Sequence, residues 1–299
     1  MESVSFDLEL MQQWVGRQEV RTDLIDATLA AALAATLDHT TAPQPGSALP
    51  PLWHWIYFWT HCRESEIGAD GHPQRGGFLP PIPLPRRMWA GGRLTFPAVL
   101  PIGAAVTRSS KIKSVTGKNG QSGQLAFVTV QHEVAADGII AITEEHDIVY
   151  RNMPPLPQSL PQSSAIAPAP KPAPTEALWR RTVTPDPVLL FRYSALTFNG
   201  HRIHYDRSYV TGVEGYPGLI VHGPLIATLL ADLVRRHLPD ARLTEFNFRA
   251  VGPLFDIEPF TLCGQPDADG RSVQLWAQNA RGEFAMQAEA KLAGPLIKQ

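Results

Sequence analysis

Residues 191–224 have the sequence FRYSALTFNGHRIHYDRSYVTGVEGYPGLIVHGP, and the rest of the chain is best interpreted around this stretch. It contains Asn199, then His204 five positions later, and Gly223 immediately before an apolar segment. An imidazole exchanges protons near neutral pH, and a carboxamide can hold a water molecule by hydrogen bonding. The stretch therefore predicts polar acid–base chemistry next to the N-terminus of a helix.

The segment that follows, residues 224–237 (PLIATLLADLVRRH), has the pattern of an amphipathic helix with proline at its first position. Upstream, residues 188–194 favour a strand, and a short helix is predicted over residues 204–210. Downstream, four strands are predicted, over residues 243–250, 259–264, 272–278 and 284–292.

The first half of the chain is predicted to contain two helices, over residues 6–14 and 23–37, with Thr22 capping the second. Residues 52–60 (LWHWIYFWT) are rich in aromatic side chains and favour a buried strand. The dipeptides Asn119-Gly120 and Asp137-Gly138 are typical of turns between antiparallel strands. The strands predicted around these turns span residues 93–96, 104–115, 124–134 and 139–150.

Residues 64–92 contain too many glycines and prolines for long regular structure. Embedded apolar side chains, among them Phe78 and Trp89, indicate that this segment is packed against the protein. Long irregular segments inside a compact domain often carry function. His72 and Arg75 are the polar residues of this segment that could reach a pocket.

Residues 153–177 are rich in proline, alanine, serine and glutamine and form a predicted linker. Eight prolines from Pro154 to Pro174 favour an extended, semi-rigid chain. The linker divides the sequence into an N-terminal domain, residues 1–152, and a C-terminal domain, residues 178–299. Each domain has the pattern of one helix wrapped by an antiparallel sheet, which predicts an α+β fold.

Composition argues against several classes of protein. The formal net charge is −2 and the basic residues are scattered, so nothing favours a nucleic-acid partner. Two cysteines, Cys62 and Cys263, provide neither a disulfide framework nor zinc spacing. The sequence has no signal-peptide pattern and no apolar run near the ~20 residues that span a bilayer, so we expect a cytoplasmic protein without a membrane partner.

Residues 193–206 (YSALTFNGHRIHYD) resemble the hydratase motif of MaoC-type hot-dog enzymes. That motif has an acid, then Asn-Pro, then a histidine five positions after the acid. Here Asn199 takes the place of the acid, His201-Arg202 the place of Asn-Pro, and His204 the place of the histidine. The amide at Asn199 resembles the variant in the hydroxyacyl-thioester dehydratase type 2 subfamily, which includes mesaconyl-C4-CoA and itaconyl-CoA hydratases.

Two stretches of the first half are similar to the N-terminal domain of that subfamily, which resembles a fatty-acid-synthase dehydratase. They are residues 71–92 (GHPQRGGFLPPIPLPRRMWAGG) and 123–134 (GQLAFVTVQHEV). The resemblance implies a double hot-dog fold with antiparallel sheets, each wrapped around a central helix. It also implies that the C-terminal half is catalytic and that the N-terminal half is a degenerate copy shaping the pocket.

For the site, the resemblance implies a hydro-lyase that adds water across a C=C bond conjugated to a thioester. His204 would be the acid–base group. Asn199 would hold the water through its carbonyl oxygen, because an amide cannot take up a proton as a carboxylate does. The backbone N–H of Gly223, at the start of the apolar helix, would polarise the thioester carbonyl. The alternative for Gly223 is an ordinary residue at a helix start.

Three further residues are candidates for binding the substrate: Tyr193 of the motif, and the pair Arg86 and Arg87. The arginines would bind CoA phosphates or a substrate carboxylate. The alternative is that the two arginines are solvated surface charges. For His201 and His222, which flank the motif, we favour structural hydrogen bonding.

The favoured substrate is a short, branched dicarboxylic enoyl-CoA, either itaconyl-CoA or mesaconyl-C4-CoA, hydrated to citramalyl-CoA. CoA is part of this substrate, and the reaction requires no metal and no other cofactor. One alternative is a 3-hydroxyacyl-ACP or 3-hydroxyacyl-CoA dehydratase of fatty-acid synthesis, which would need an apolar tunnel without a charge at its end. Another is a non-catalytic acyl-CoA-binding protein. A homodimer is an expectation from the fold.

Overall fold

One antiparallel sheet of ten strands runs through both halves of the computed structural model, which describes residues 6–120, 123–152 and 171–294. The strands are β1 (Gln18–Leu24), β2 (Arg86–Thr95), β3 (Ala105–Gly120), β4 (Gly123–Ala136), β5 (Ile139–Arg151), β6 (Trp179–Val183), β7 (Leu243–Ala250), β8 (Phe260–Pro266), β9 (Ser272–Gln278) and β10 (Phe284–Leu292). Their order across the sheet is β1-β3-β4-β5-β2-β7-β10-β9-β8-β6.

The helices lie against this sheet or between its halves. They are α1 (Leu8–Gln12), α2 (Ala27–Thr36), α3 (Pro187–Leu196), α4 (Arg207–Gly212) and α5 (Gly223–His237). Short 3₁₀ turns occur at Trp53–Ile56, Glu64–Glu66 and Arg202–His204. No helix in the described ranges is long and apolar enough to cross a membrane.

The two halves join edge to edge where β2 pairs with β7, from Gly91 opposite Arg249 to Thr95 opposite Glu245. Glycine is required at this seam, because a Cβ on Gly91 would lie 2.6 Å from the carbonyl oxygen of Phe248. The expected pair of sheets is therefore one continuous sheet, and the α+β prediction is confirmed.

Helix α5 is the centre of the C-terminal half, as the sequence predicted. Residues 225–234 are all buried, so the helix is enclosed on every side by the core. The buried carboxylate of Asp232 accepts hydrogen bonds from Arg236 at 2.7 Å and contacts Nε2 of His39 at 2.7 Å. Because His39 belongs to the first half, this contact ties α5 to the other half of the molecule.

The predicted helix over residues 23–37 is wrong at its start. Residues 18–24 alternate between exposed and half-buried positions and pair with β3, so Thr22 is a strand residue opposite Thr107. The helix begins later, after Asp26, whose carboxylate accepts the first free N–H groups. Of the first predicted helix, over residues 6–14, the part that is α-helical is α1, Leu8–Gln12.

Two predicted strands are wrong. Residues 52–60 form the 3₁₀ turn at Trp53–Ile56 and irregular chain, because bulky aromatics here fill the core rather than a ladder. Residues 188–194 belong to α3, where Asp186 caps the helix and Pro187 starts it. The aromatic and branched side chains favoured a strand, but the N-cap Asp186 and Pro187 at the first position start a helix here.

The remaining β predictions hold with small shifts. Strands β7, β9 and β10 have the predicted bounds, whereas β2 begins at Arg86 rather than at residue 93, and β6 was not predicted. Asp137 and Gly138 both have positive φ, as a tight hairpin turn requires. Of the predicted linker, residues 153–170 lie outside the described residues. At its end, Pro172 pairs with Glu283 of the C-terminal half.

Candidate active site

A cavity of about 1340 Å³ lies between the two halves. Both halves contribute to its walls, so neither half would form it alone. Its polar lining includes Asn199, His201, His204, Gly223, Ser194, His72, Arg87, Arg108 and His146. The irregular segment over residues 64–92 supplies part of one wall, as we predicted from its packed composition.

His204 ends the 3₁₀ turn Arg202–His204, and its ring is buried. Its Nδ1 lies 2.7 Å from the carbonyl oxygen of Ile220, which can only accept, so Nδ1 carries the hydrogen. Nε2 is then the nitrogen left to accept a proton. Burial lowers the pKa of His204 to about 4, so the ring is neutral at physiological pH.

His222 stacks on His204, with ring centroids 3.6 Å apart and planes 18° from parallel. Its Nε2 lies 2.8 Å from Oγ of Ser194, which agrees with the predicted structural hydrogen bonding. Among the described residues, its Nδ1 is buried without a hydrogen-bond partner. Burial, and the neighbouring His204, hold the pKa of His222 well below its usual range. The stacked rings are therefore a neutral pair, and His222 fixes the plane of His204.

Asn199 lies in the loop that follows α3, and it lines the cavity. Its Oδ1 accepts a hydrogen bond from the backbone N–H of His201 at 3.0 Å. Its own backbone N–H bonds to the carbonyl oxygen of Ser194 at 2.8 Å. The amide oxygen that we expected to hold water therefore also shapes the loop that carries His201.

Gly223 is the first residue of α5 and lines the same cavity as His204. Among the described residues no side chain caps this helix, and Pro224 has no N–H, so the amide of Gly223 is an uncapped donor. A Cβ on Gly223 would meet no described atom within 4 Å, so the side-chain position of Gly223 is open. The end of a buried helix thus presents a hydrogen-bond donor and a partial positive charge to the cavity.

Asp70, His72 and His201 form a group at one wall of this cavity. The Oδ2 atom of Asp70 lies 3.1 Å from Nδ1 of His72, and the His72 and His201 rings are 4.0 Å apart. Their polar atoms lie within 4.8 Å of one another, a spacing that a metal ion could also bridge. The hydrogen bonds of Asp70 to His72 account for the carboxylate without an ion, so we interpret the group as a hydrogen-bonded pair beside a third ring.

Of the two arginines, only Arg87 contributes to the cavity wall among the described residues. The Arg86 guanidinium is buried, lies 3.0 Å from the carboxylate of Glu214 and stacks on Tyr216. Arg86 is thus a structural ion pair rather than a solvated charge or a ligand-binding group. Tyr193 is also buried, and burial raises its pKa; its ring contacts His222 at 5.1 Å. Tyr193 therefore packs on His222 and is not among the residues that line the cavity.

From the sequence, Asp70 and Ser194 had no assigned role, and His72 was named only as a residue that could reach a pocket. Asp70 and His72 come from the other half of the chain, so no local spacing links them to His204. Ser194 lies inside the motif, but its partner His222 is 28 positions away. The Ser194–His222 hydrogen bond joins α3 to the residue before α5, and this contact arises from tertiary packing.

A sequence profile described as hydroxyacyl-thioester dehydratase type 2 matches residues 52–256. Mesaconyl-C(4)-CoA hydratase from Chloroflexus aurantiacus is 48% identical over 285 residues, covering 94% of this chain and 97% of the relative.

Solved structures extend the likeness to the fold. A MaoC-like dehydratase from Phytophthora capsici superposes with a TM-score of 0.71 at 12% identity, covering 97% of this chain and 98% of that one. A Mycobacterium tuberculosis protein described as having a double hotdog fold has a TM-score of 0.55 at 13% identity, covering 93% and 96% of the two chains. The predicted double hot-dog fold is confirmed.

The profile covers more than half of the chain, and the similarity to the Chloroflexus hydratase runs almost from end to end. The matched family and its relatives are named as hydratases or dehydratases of acyl thioesters. The chain belongs to the hydroxyacyl-thioester dehydratase type 2 family and is a hydro-lyase.

Proposed function

We propose that this protein is a CoA-thioester hydratase that acts reversibly on a short, branched dicarboxylic enoyl-CoA. Itaconyl-CoA and mesaconyl-C4-CoA, each giving citramalyl-CoA, are the substrates that we favour. The observation that carries the proposal is that His204, with Nδ1 bonded to Ile220, and Gly223 at the start of α5 line one cavity. The extensive similarity to a mesaconyl-C(4)-CoA hydratase supports the choice of substrate.

In the proposed reaction, the thioester oxygen accepts a hydrogen bond from the N–H of Gly223. The positive end of α5 stabilises the charge that develops on this oxygen as the enolate forms. Water bonds to the β-carbon while its proton moves to Nε2 of His204, which is neutral and so able to accept it. Asn199 orients the water. The chemistry calls for neither a metal nor a redox cofactor, and CoA is part of the substrate.

Arginines on the cavity wall support a dicarboxylic substrate. Arg87 lies close enough to His72 and His201 for its charge to lower the pKa of both rings. Arg108 also lines the cavity, and within the described residues its Nε is buried without a hydrogen-bond partner. A buried N–H of a guanidinium without an acceptor is costly, and a substrate carboxylate would relieve that cost.

The experiment is a comparison of hydration rates on itaconyl-, mesaconyl-C4- and crotonyl-CoA, for the wild type and for Arg87→Met. We expect the wild type to prefer the dicarboxylic substrates. Arg87→Met should lose about 10-fold or more in kcat/KM on those substrates, the scale of one charge-assisted hydrogen bond, and should change little on crotonyl-CoA. Arg192→Met is the matched control, because Arg192 is exposed on α3.

A clear preference for crotonyl-CoA would refute the dicarboxylic choice and favour the alternative, a 3-hydroxyacyl-thioester dehydratase of fatty-acid synthesis. Absence of hydration on all three substrates would favour a non-catalytic acyl-CoA-binding protein. We also propose a cytoplasmic location and a homodimer, which fractionation and sedimentation measurements would test.

A further inference from the structure

The loop that carries Asp70 and His72 is docked on the catalytic loop by main-chain contacts. The backbone N–H of Arg202 donates to the carbonyl oxygen of Asp70 at 2.9 Å. Gly71 has φ +87°, and a Cβ there would lie 1.9 Å from the carbonyl oxygen of Gly200. The two loops therefore touch through glycines on both sides, and any side chain would separate them. This contact fixes the position of His72 relative to His201 and His204.

Asp70 orients His72 through two hydrogen bonds. Its Oδ1 accepts from the backbone N–H of His72 at 3.0 Å, and its Oδ2 lies 3.1 Å from Nδ1 of the ring. A carboxylate can only accept, so Nδ1 carries the hydrogen and Nε2 is the nitrogen left to exchange a proton. The His72 ring lines the cavity and lies 4.0 Å from the His201 ring, which lies 5.5 Å from the His204 ring. The structure thus contains a continuous row of imidazoles from the first half to the catalytic histidine.

The proposed hydration needs two proton transfers, one from the water and one to the α-carbon. His204 can make only one of them at a time, because Ile220 holds its Nδ1 hydrogen. Asn199 cannot titrate, and its oxygen is already bonded to the His201 N–H. A second titratable group beside the cavity would let the two transfers take place on different residues, and His72 with its carboxylate partner has the geometry of one.

We propose that His72, positioned by Asp70, is a second acid–base group of the active site; this inference rests on the proposed hydratase function. In hydration, the O–C bond forms at the β-carbon as the water proton moves to His204 Nε2, and the C=C electrons pass to the thioester oxygen. The enolate then takes a proton from the His72 imidazolium to form the C–H bond at the α-carbon. His204 then loses its proton to solvent and His72 takes one up from solvent, which restores both rings.

Several charged groups face His72 and set its titration. Burial lowers the pKa of His72, and the positive charges of Arg87 and Arg75 lower it further, while Asp70 opposes them. His201 is a neutral ring at the same wall, and burial lowers its pKa to about 2. The imidazolium of His72 is therefore a stronger acid than free histidine, which suits donation of a proton to carbon. Without Asp70 the pKa of His72 would fall further.

The test compares the pH dependence of hydration for the wild type, His72→Gln and Asp70→Asn, on whichever enoyl-CoA the wild type turns over fastest. We expect His72→Gln to lose about 10²-fold or more in kcat. Its pH–rate profile should also lack the limb on which the rate falls as His72 deprotonates. Asp70→Asn should lower kcat and move that limb to lower pH. His61→Gln, an exposed histidine outside the cavity, is the control and should leave both unchanged.

A second measurement follows the proton itself. In D₂O, exchange of the α-hydrogen of the hydroxyacyl-CoA should slow in His72→Gln, because the base that removes this hydrogen is gone. A His72→Gln enzyme with wild-type kcat and an unchanged limb would overturn the inference and leave the hydratase function standing. Activity lost on dialysis against a chelator and restored by Zn²⁺ would also overturn it, in favour of a metal at this group. If His72→Gln does not fold, the limb in Asp70→Asn decides, and an unshifted limb overturns the inference.

Discussion

The central helices of the two halves begin in opposite ways. In the N-terminal half, the carboxylate of Asp26 accepts the N–H of Thr28 at 2.7 Å and of Leu29 at 3.3 Å, so the start of α2 is closed. In the C-terminal half, α5 begins at Gly223, where the described residues supply no side-chain cap and leave the Cβ position open. One architecture thus supplies one closed helix end and one open end, and only the open end can bind a thioester oxygen.

The buried polar groups of the two halves differ in the same sense. Glu144 in the first half is buried and is bonded to His54 at 3.0 Å, to Trp55 at 2.8 Å and to His146. Burial alone would raise the pKa of Glu144, but His146 and His54 hold it well below its usual range. These side chains therefore satisfy one another's hydrogen-bonding groups. In the C-terminal half, by contrast, His204 keeps a nitrogen for the substrate, which suits catalysis rather than stability.

The largest expected difference between the two halves is the catalytic role of His204 in the C-terminal half. We expect His204→Ala to lose about 10²–10⁴ in kcat, the scale of a general acid–base group, while folding is retained. His61→Ala, which removes an exposed imidazole, should keep wild-type activity. Steady-state hydration assays with circular dichroism check both variants. A fully active His204→Ala enzyme would mean that the C-terminal half is no more catalytic than the N-terminal half.

The open helix end is tested by Gly223→Ala. The added methyl group meets no protein atom, so the fold should remain, but it occupies space that the thioester oxygen needs. We expect kcat/KM to fall by about 10²-fold, the effect of losing one oxyanion donor. Gly212→Ala is the matched control, because its Cβ also meets no atom and Gly212 ends α4 on the surface. Equal activities of the two variants would argue against a role for the Gly223 amide.

The neutral histidine of the C-terminal half predicts a pH effect on stability. The pKa of His204 is about 4 in the folded chain and 6.5 in the unfolded chain, so the unfolded chain binds more protons between these pH values. The contribution of His204 to the free energy of unfolding is therefore fully present above about pH 6.5 and is lost as the pH falls towards 4. In His204→Gln this loss should be smaller, by on the order of 3 kcal/mol. Urea unfolding at pH 7 and pH 4 measures the difference, and an identical loss in both proteins would contradict the prediction.

The closed helix end is expected to matter for stability alone. Asp26→Ala leaves two N–H groups at the start of α2 without their acceptor and should cost about 1 kcal/mol of unfolding free energy. The hydration rate should not change, because α2 does not line the cavity. Urea unfolding and a hydration assay test the two statements together. A loss of more than 10-fold in kcat would show that the N-terminal helix end takes part in catalysis.

Several elements were predictable because their signals are local. The apolar period and the proline of α5 mark its start, and alternating side chains in β7, β9 and β10 produced strand bounds that the structure matches. The motif spacing placed Asn199, His204 and Gly223 together, and all three line one cavity. Predictions failed where two local signals competed, as in α3, where a helix cap prevailed over strand-forming side chains.

What the sequence determined by itself was the helix α5 and the α+β pattern of each half, and it also supplied His204 as the candidate acid–base group. What only the tertiary structure decided was which distant residues meet them. Arg86 pairs with Glu214 from 128 positions away, and Asp70 presents His72 to a loop of the other half. The physical reason is that periodicity and capping act over a few residues. Contacts between the halves depend instead on the β2–β7 seam and on the glycines that let their backbones touch.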